Sequence, residues 1–414
     1  MRQVAKTISK GVIDPATYAA DGCEGVLIFG VGMISVLAGT GSTTLLATLY
    51  GLPISASHGV IGGLVAVGLA SHGAESLGWA PLEQTVIAWV ASPVLGGVTS
   101  ALLHALIHSL VHSKSDPERR AHALQPFFVA ATVAVAIAFI LITGPSVIKV
   151  RPVSLAVLVS CVGGAVVALV SVAFRQKGLA QMMRPMTGPA QERRGIRRDG
   201  VTSPELSDDA ESQAAAGEQV AAEDGMTAGS TLEQAIGEAE KPFVPLLILS
   251  AMTVAFAHGG NDVGNSIGPL ATILDVVEGG DITALPEIQP WVLLLGSCGF
   301  VVGIVLIGNR TIATVGGKIT TLTPSRSFAV QTGTAVAVLS STVLGLAVST
   351  SHCLVGAVIG VGIAGRLLGT GGELNASMLK KIVIGWAATI PLAMLVSLIF
   401  FYVLSAFYQG VECS

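Results

Sequence analysis

The sequence predicts an all-α polytopic membrane protein made of two repeated halves with broken helices and re-entrant hairpins. Composition gives the class: 51% of the 414 residues are hydrophobic and 12% charged, so most of the chain must face lipid or other apolar helices. Apolar runs of spanning length recur at 25–50, 84–111, 127–143, 153–174, 243–274, 291–308, 328–348 and 382–407, giving roughly eight to ten spans or half-spans. The third observation is an internal repeat. Residues 51–72, GLPISASHGVIGGLVAVGLASH, align without a gap on 345–366, GLAVSTSHCLVGAVIGVGIAGR, with nine identities that include Ser55/Ser349, Ser57/Ser351 and His58/His352. The register extends upstream, where Gly39-Thr40 falls on Gly333-Thr334. Duplicated halves with sites on interrupted helices near the midplane are a common transporter architecture.

Taken in order, the first twenty residues lack an apolar core of signal length, so insertion is expected to use a later span. After the 25–50 run, the first S-x-S-H opens a run from Gly59 to Ala70 that is too short to span, as suits a re-entrant half-helix. The 84–111 run carries His104, His108 and His112 at i, i+4 and i+8; with no acid or cysteine joining them in sequence, they read as an interfacial polar stripe. Lys114, Arg119 and Arg120 mark the next loop as cytoplasmic by the positive-inside bias. Two spans later the chain turns hydrophilic. Arg184, Arg193, Arg194, Arg197 and Arg198 are followed by Glu205, Asp208, Asp209, Glu211, Glu218, Glu223 and Asp224 among small residues, a solvated cytoplasmic tether. The expected units are a membrane half at 1–183, a linker at 184–241 and a second half at 242–414. The second half repeats the short run from Cys353 to Ala364, while Arg310, Lys318 and Arg326 read as an aqueous loop. The net charge of −4 is spread over loops, so no basic field calls for nucleic acid. Five cysteines make neither a disulfide framework nor a spaced metal set.

The densest chemistry is FAHGGNDVGNSIGPL at 256–270. A carboxylate at membrane depth, here Asp262, is costly and usually kept for a function. Gly259, Gly260, Gly264, Gly268 and Pro269 predict a broken helix whose freed backbone groups face a ligand. The hairpin helices would leave amides unpaired at their starts, with Ser55, Ser57, Ser349, Thr350 and Ser351 as extra donors, and an anion fits there. An ionised Asp262 would repel that anion unless a cation or proton lay between them. Oxygen ligands for a hard cation beside donors for an anion resolve the conflict, and each ion then favours the other.

These strings, with VAKTISKGVIDP at 4–15 and GWAATIP at 385–391, resemble the PiT-type inorganic phosphate transporter (phosphate permease) family over nearly the whole chain outside the linker. The resemblance implies symport of inorganic phosphate by two inverted repeats around a central site, with sodium or a proton as coupling ion and no other cofactor. It points to Asn261, Asn265, Ser55, Ser57, Ser349, Thr350 and Ser351 for phosphate, and to Asp262 for the cation, including a sodium ion. His58 and His352 complete the hairpin motifs. The family carries the N-D motif twice; VAKTISKGVIDP resembles the segment just C-terminal to the first copy, so the first repeat is expected to be N-terminally incomplete. Eukaryotic sodium-coupled members have glutamate where this chain has Gln331, which makes Gln331 a second candidate for ion coupling. The expected setting is the plasma membrane, with an organellar membrane as alternative and a homodimer as candidate assembly. Two other readings stay open: an intramembrane serine hydrolase using Ser57 or Ser351 with His58 or His352 and Asp262, and a passive phosphate channel or sensor.

Overall fold

The computed structural model describes residues 2–143, 148–182, 236–279, 281–284, 288–317 and 319–408. The helices are α1 (Arg2–Lys6), running into a π-helical turn Thr7–Gly11, α2 (Pro15–Ala19), α3 (Gly22–Leu49), α4 (Ala56–His72), α5 (Trp79–Ile107) extended by a π-helical turn His108–His112, and α6 (Pro117–Thr143). They continue with α7 (Val153–Met182), α8 (Phe243–Val277), α9 (Pro290–Ile307), α10 (Asn309–Gly317), α11 (Pro324–Val343), α12 (Thr350–Leu367) and α13 (Ala376–Tyr408). Eight of the described helices are long and apolar enough to cross a membrane. The chain is an all-α polytopic membrane protein.

Two helix pairs share one local design. Both α3 and α11 stop at a glycine in the left-handed region, Gly51 (φ 68°) and Gly345 (φ 75°), which only a residue without Cβ adopts cheaply. Leu52 N–H then bonds Ala47 O at 3.0 Å and Leu346 N–H bonds Ser341 O at 2.9 Å, closing the same C-terminal motif in each. A short extended stretch follows, and Ser55 and Ser349 start the next helices by accepting from His58 N–H (3.1 Å) and His352 N–H (3.2 Å). At the far ends of the pairs, His72 Nε2 meets Asp21 Oδ2 at 2.8 Å beside the start of α3, and Arg326 at the start of α11 bonds Thr370 O just beyond α12. Each pair therefore leaves and returns to one end, with its turn pointing into the molecule.

The pairs do not pack within their own halves alone. Helix α4 lies against α3 and α13, and α12 lies against α11 and α5, so each second helix docks on a helix from the other half. Glycine makes this contact close: a Cβ at Gly356 would meet Pro93 O and one at Gly360 would meet Gly97 O. Helix α6 packs on α7, α8 and α11, and α9 rests on α8.

Several expectations change. Residues 256–270 are not a broken helix: α8 is helical from Phe243 to Val277. Helical glycine costs about 1 kcal/mol, whereas freed backbone groups at membrane depth cost several. Gly264 and Gly268 also accept Val4, Ala5 and Ile8 against them. The local defect is at Pro269, which has no N–H for the carbonyl of Asn265. The short runs expected from Gly59 to Ala70 and from Cys353 to Ala364 lie inside helices of 17 and 18 residues, because polar residues at both ends are helical too. The 328–348 run ends as a helix at Val343, ahead of Gly345. Arg326 is no loop residue in water: it is 7% exposed, with its guanidinium on Thr321 O and Thr370 O. Of the linker, 183–235 lie outside the described residues; 236–240 are helical, with Ala239 buried. Cys23 is disulfide-bonded, which the cysteine pattern did not foretell.

Candidate functional site

The middle of α8 faces the turns of both helix pairs. Asn261, Asp262 and Asn265 are buried, at 0%, 8% and 4% exposure. Asn261 Nδ2 donates to Thr342 Oγ1 (3.0 Å) and Leu346 O (3.2 Å) at the end of α11. Asn265 Nδ2 donates to Ser57 Oγ at the start of α4 (3.0 Å) and lies 3.5 Å from Asp262 Oδ1. Thr350 Oγ1, at the start of α12, donates to Asp262 Oδ2 at 2.8 Å. One helix thus gathers the starts of two others around a single carboxylate.

What is left bare is as informative as what is bonded. Asn261 Oδ1 and Asn265 Oδ1 are buried without a partner. Buried polar atoms are nearly always satisfied, so two orphaned amide oxygens flanking a carboxylate mark a place for a donor or a cation. Pro269 also leaves the Asn265 carbonyl without its helical donor. Among the described residues, no group of three or more His, Cys, Asp or Glu is placed to hold a transition metal.

The hairpin hydroxyls are placed differently from expectation. Ser57 Oγ donates to Val348 O (2.9 Å), and Ser351 Oγ donates to Ile54 O (3.0 Å), so each ties its own helix start to the turn of the other pair. Trp89 Nε1 to Ala347 O (3.1 Å) and Trp386 Nε1 to Pro53 O (2.9 Å) repeat the crossing one layer out. Between them the rings stack in sequence: Trp89 on His58 (3.8 Å), His58 edge-on to His352 (4.5 Å), His352 on Trp386 (3.6 Å). Pro93 leaves the Trp89 carbonyl without its helical donor. Ser55 and Ser349 cap their own helices, with Ser349 Oγ also 3.0 Å from Ser351 Oγ. The first-turn amides of both helices have no partner four residues back.

The structure thus brings together Asn261, Asp262, Asn265, Ser57, Thr350 and the Ser349–Ser351 pair. Gln331 stands apart: it is half-buried on α11, about 16 Å along the axis from Thr342, and bonds to none of this cluster. His258 was missed. Its Nε2 lies 2.6 Å from Asp262 Oδ2, and the i, i+4 spacing on one helix was the available signal. Thr342 and the two tryptophans were missed as well, because their partners lie on elements distant in sequence. Neither Ser57 nor Ser351 turns its hydroxyl to a histidine, which removes the geometry a serine hydrolase needs.

The chain is 33% identical over 402 residues to the chloroplastic inorganic phosphate transporter 2-1 of Arabidopsis thaliana, a match covering 97% of this chain and 62% of that one. Two relatives whose names carry the words phosphate permease, from Haemophilus influenzae and Pyrococcus horikoshii, are 28% and 30% identical, covering 98% and 97% of this chain and 84% of each. A solved structure titled the sodium-dependent phosphate transporter superposes with a TM-score of 0.73 at 28% identity, covering 98% of this chain and 85% of that one. The phosphate transporter family profile matches residues 1–397, taking in both turns and the whole of α8, and the chain belongs to that family.

Proposed function

We propose that the chain is a secondary transporter that moves inorganic phosphate across a membrane by symport with a cation. The observation that carries this reading is Asp262 buried between two unpartnered amide oxygens and held by Thr350. In this reading Asp262, Asn261 and Asn265 hold the cation, and the starts of α4 and α12 present amides and the Ser55, Ser57, Ser349 and Ser351 hydroxyls to phosphate. The serines must exchange their carbonyl partners for the anion, which links phosphate binding to a rearrangement of the turns.

The halves 1–183 and 242–414 read as inverted repeats joined by the 184–241 linker, with α3–α4 and α11–α12 as re-entrant hairpins entering from opposite faces. Two facts support this: the bases of the pairs lie at Asp21–His72 and Arg326–Thr370, and the turns exchange matching hydrogen bonds. The coupling ion follows the ligand set. Sodium suits neutral oxygens and one carboxylate, and the superposed structure's title names sodium. A neutral Gln331 away from the cluster leaves Asp262 as the carboxylate that sets the charge, so a proton on it is the competing choice. The setting we propose is the plasma membrane, as a homodimer.

Proteoliposomes loaded with no phosphate, given inward sodium or proton gradients separately, test the whole reading. Concentrative phosphate uptake driven by one gradient is expected. Flux that only follows the phosphate gradient would mean a passive pathway and end the symport reading.

A further inference from the structure

Away from the central site, a cavity of about 110 Å³ opens where α5 and α6 part company. The two helices meet at the His108–His112 turn, and beyond it Leu103 and Leu106 of α5 face Phe127 and Ala131 of α6 across the gap. Its floor is made by α8 and α11, with Thr253 and Thr332 among its residues. The lining is oily despite its hydroxyls: Thr253 Oγ1 turns back to Leu249 O at 3.0 Å, Ser250 Oγ to Leu247 O at 3.0 Å and Thr132 Oγ1 to Phe128 O at 2.8 Å, Thr332 Oγ1 alone among them being left without a partner. The mouth opens to the bilayer, since Phe127 is 61% exposed and Leu106 42%.

A gap in a membrane protein that is apolar, narrow and open sideways is filled by hydrocarbon, because water there would find too few polar partners. The charges above it select the headgroup. Arg120 lies on the same face of α6 as Leu124, Phe127 and Ala131, about 10 Å along the axis from Phe127. Lys114 and Arg119 are exposed beside it, and Asp116 and Glu118 reduce the local charge without cancelling it. Asp116 is further occupied in accepting the Arg119 N–H at 3.1 Å.

We infer that this cavity holds one acyl chain of an anionic phospholipid from the leaflet facing the Lys114–Arg120 loop, its headgroup on Arg119 and Arg120. The lipid sits below the central site on the helices that build it: Thr253 is about 12 Å along α8 from Asn261, and Ala335 about 10 Å along α11 from Thr342. A tail wedged there sets the spacing of α8 and α11 and keeps water out of the gap.

Native mass spectrometry of the full chain, released from nanodiscs of equal phosphatidylglycerol and phosphatidylcholine, tests this. The wild type should retain one phospholipid, favouring phosphatidylglycerol about five-fold. Ala131→Phe, which fills the gap, should lose it, and Leu106→Ala, which widens the gap, should keep it. The pair Arg119→Gln and Arg120→Gln should keep a lipid but lose the headgroup preference. Thermal melts establish that each variant is folded. Undiminished lipid on a folded Ala131→Phe protein, an unchanged preference in the arginine variant, or a wild type that retains no phospholipid, would each overturn the assignment.

Discussion

Asp262 is the only carboxylate of its motif, and its two oxygens already receive Thr350 Oγ1 and contact His258 and Asn265. Asp262→Asn keeps the shape and removes the charge, so we expect insertion and folding to survive while ion-driven phosphate uptake is lost. Uptake by reconstituted protein measures this, and normal accumulation would take Asp262 out of the coupling step. Thr350→Val removes a bond to a charged acceptor, worth roughly 1.5–3 kcal/mol, and should shift the ion dependence of uptake. Ser351→Ala removes a neutral bond to Ile54 O, worth about 1 kcal/mol, and should lower the melting temperature more than it alters ion dependence. Equal effects of the two on coupling would argue that the turn, not the carboxylate, sets ion affinity. Asn261, Asp262 and Thr350 could be found in the sequence because buried polar groups are rare in apolar runs. The partners of the serine hydroxyls could not, since they are main-chain carbonyls of a distant turn and carry no residue identity.

The helices show where local rules stop. Glycine and proline in 256–270 argue for a break, and the chain stays helical because its neighbours and the bilayer make a break dearer than four glycines. Propensity counts only the chain itself, whereas Val4, Ala5 and Ile8 against Gly264 and Gly268 come from elsewhere. The helix starts were legible for the opposite reason: the S-x-S-H strings act through neighbours in sequence. The α5–α12 contact gives a prediction at this level. Because a Cβ at Gly356 would meet Pro93 O, Gly356→Ala should force α12 away from α5 and cost about 1–3 kcal/mol, as overpacking does. Gly369→Ala, past the end of α12, meets no atom but sits at φ 68° and should show a backbone cost without disturbing that contact. Melting of both variants, with a Trp89 fluorescence change confined to Gly356→Ala, checks the assignment.

Across the whole molecule, α3, α4 and α13 form one packed group and α5, α11 and α12 another, so the packed groups cut across the halves of the sequence. The repeat was legible, but this exchange was not, because small residues say that a helix is approached closely and not by which helix. If each group moves as a unit, a bond inside one should be harmless. A Cβ at Gly63 would stand 3.5 Å from Ser397 Cβ, within disulfide range, so Gly63→Cys with Ser397→Cys should oxidise readily and still transport. Loss of transport on oxidation, restored by reductant, would show that α4 and α13 slide past each other. The exchange also bears on how the protein is made. Ser57 reaches a carbonyl 291 residues further on, and Ser351 one 297 residues back. At a synthesis rate of about 5–20 residues per second, the first turn waits roughly 15–60 s for its partner to leave the ribosome. During that wait Trp89 Nε1, Ser57 Oγ and the carbonyls of Pro53 and Ile54 have no lasting partners. The nascent first half is therefore a client for whatever insertion machinery shelters polar groups in the bilayer, and ribosomes stalled before residue 345 should leave its turn open to protease while a completed chain closes it.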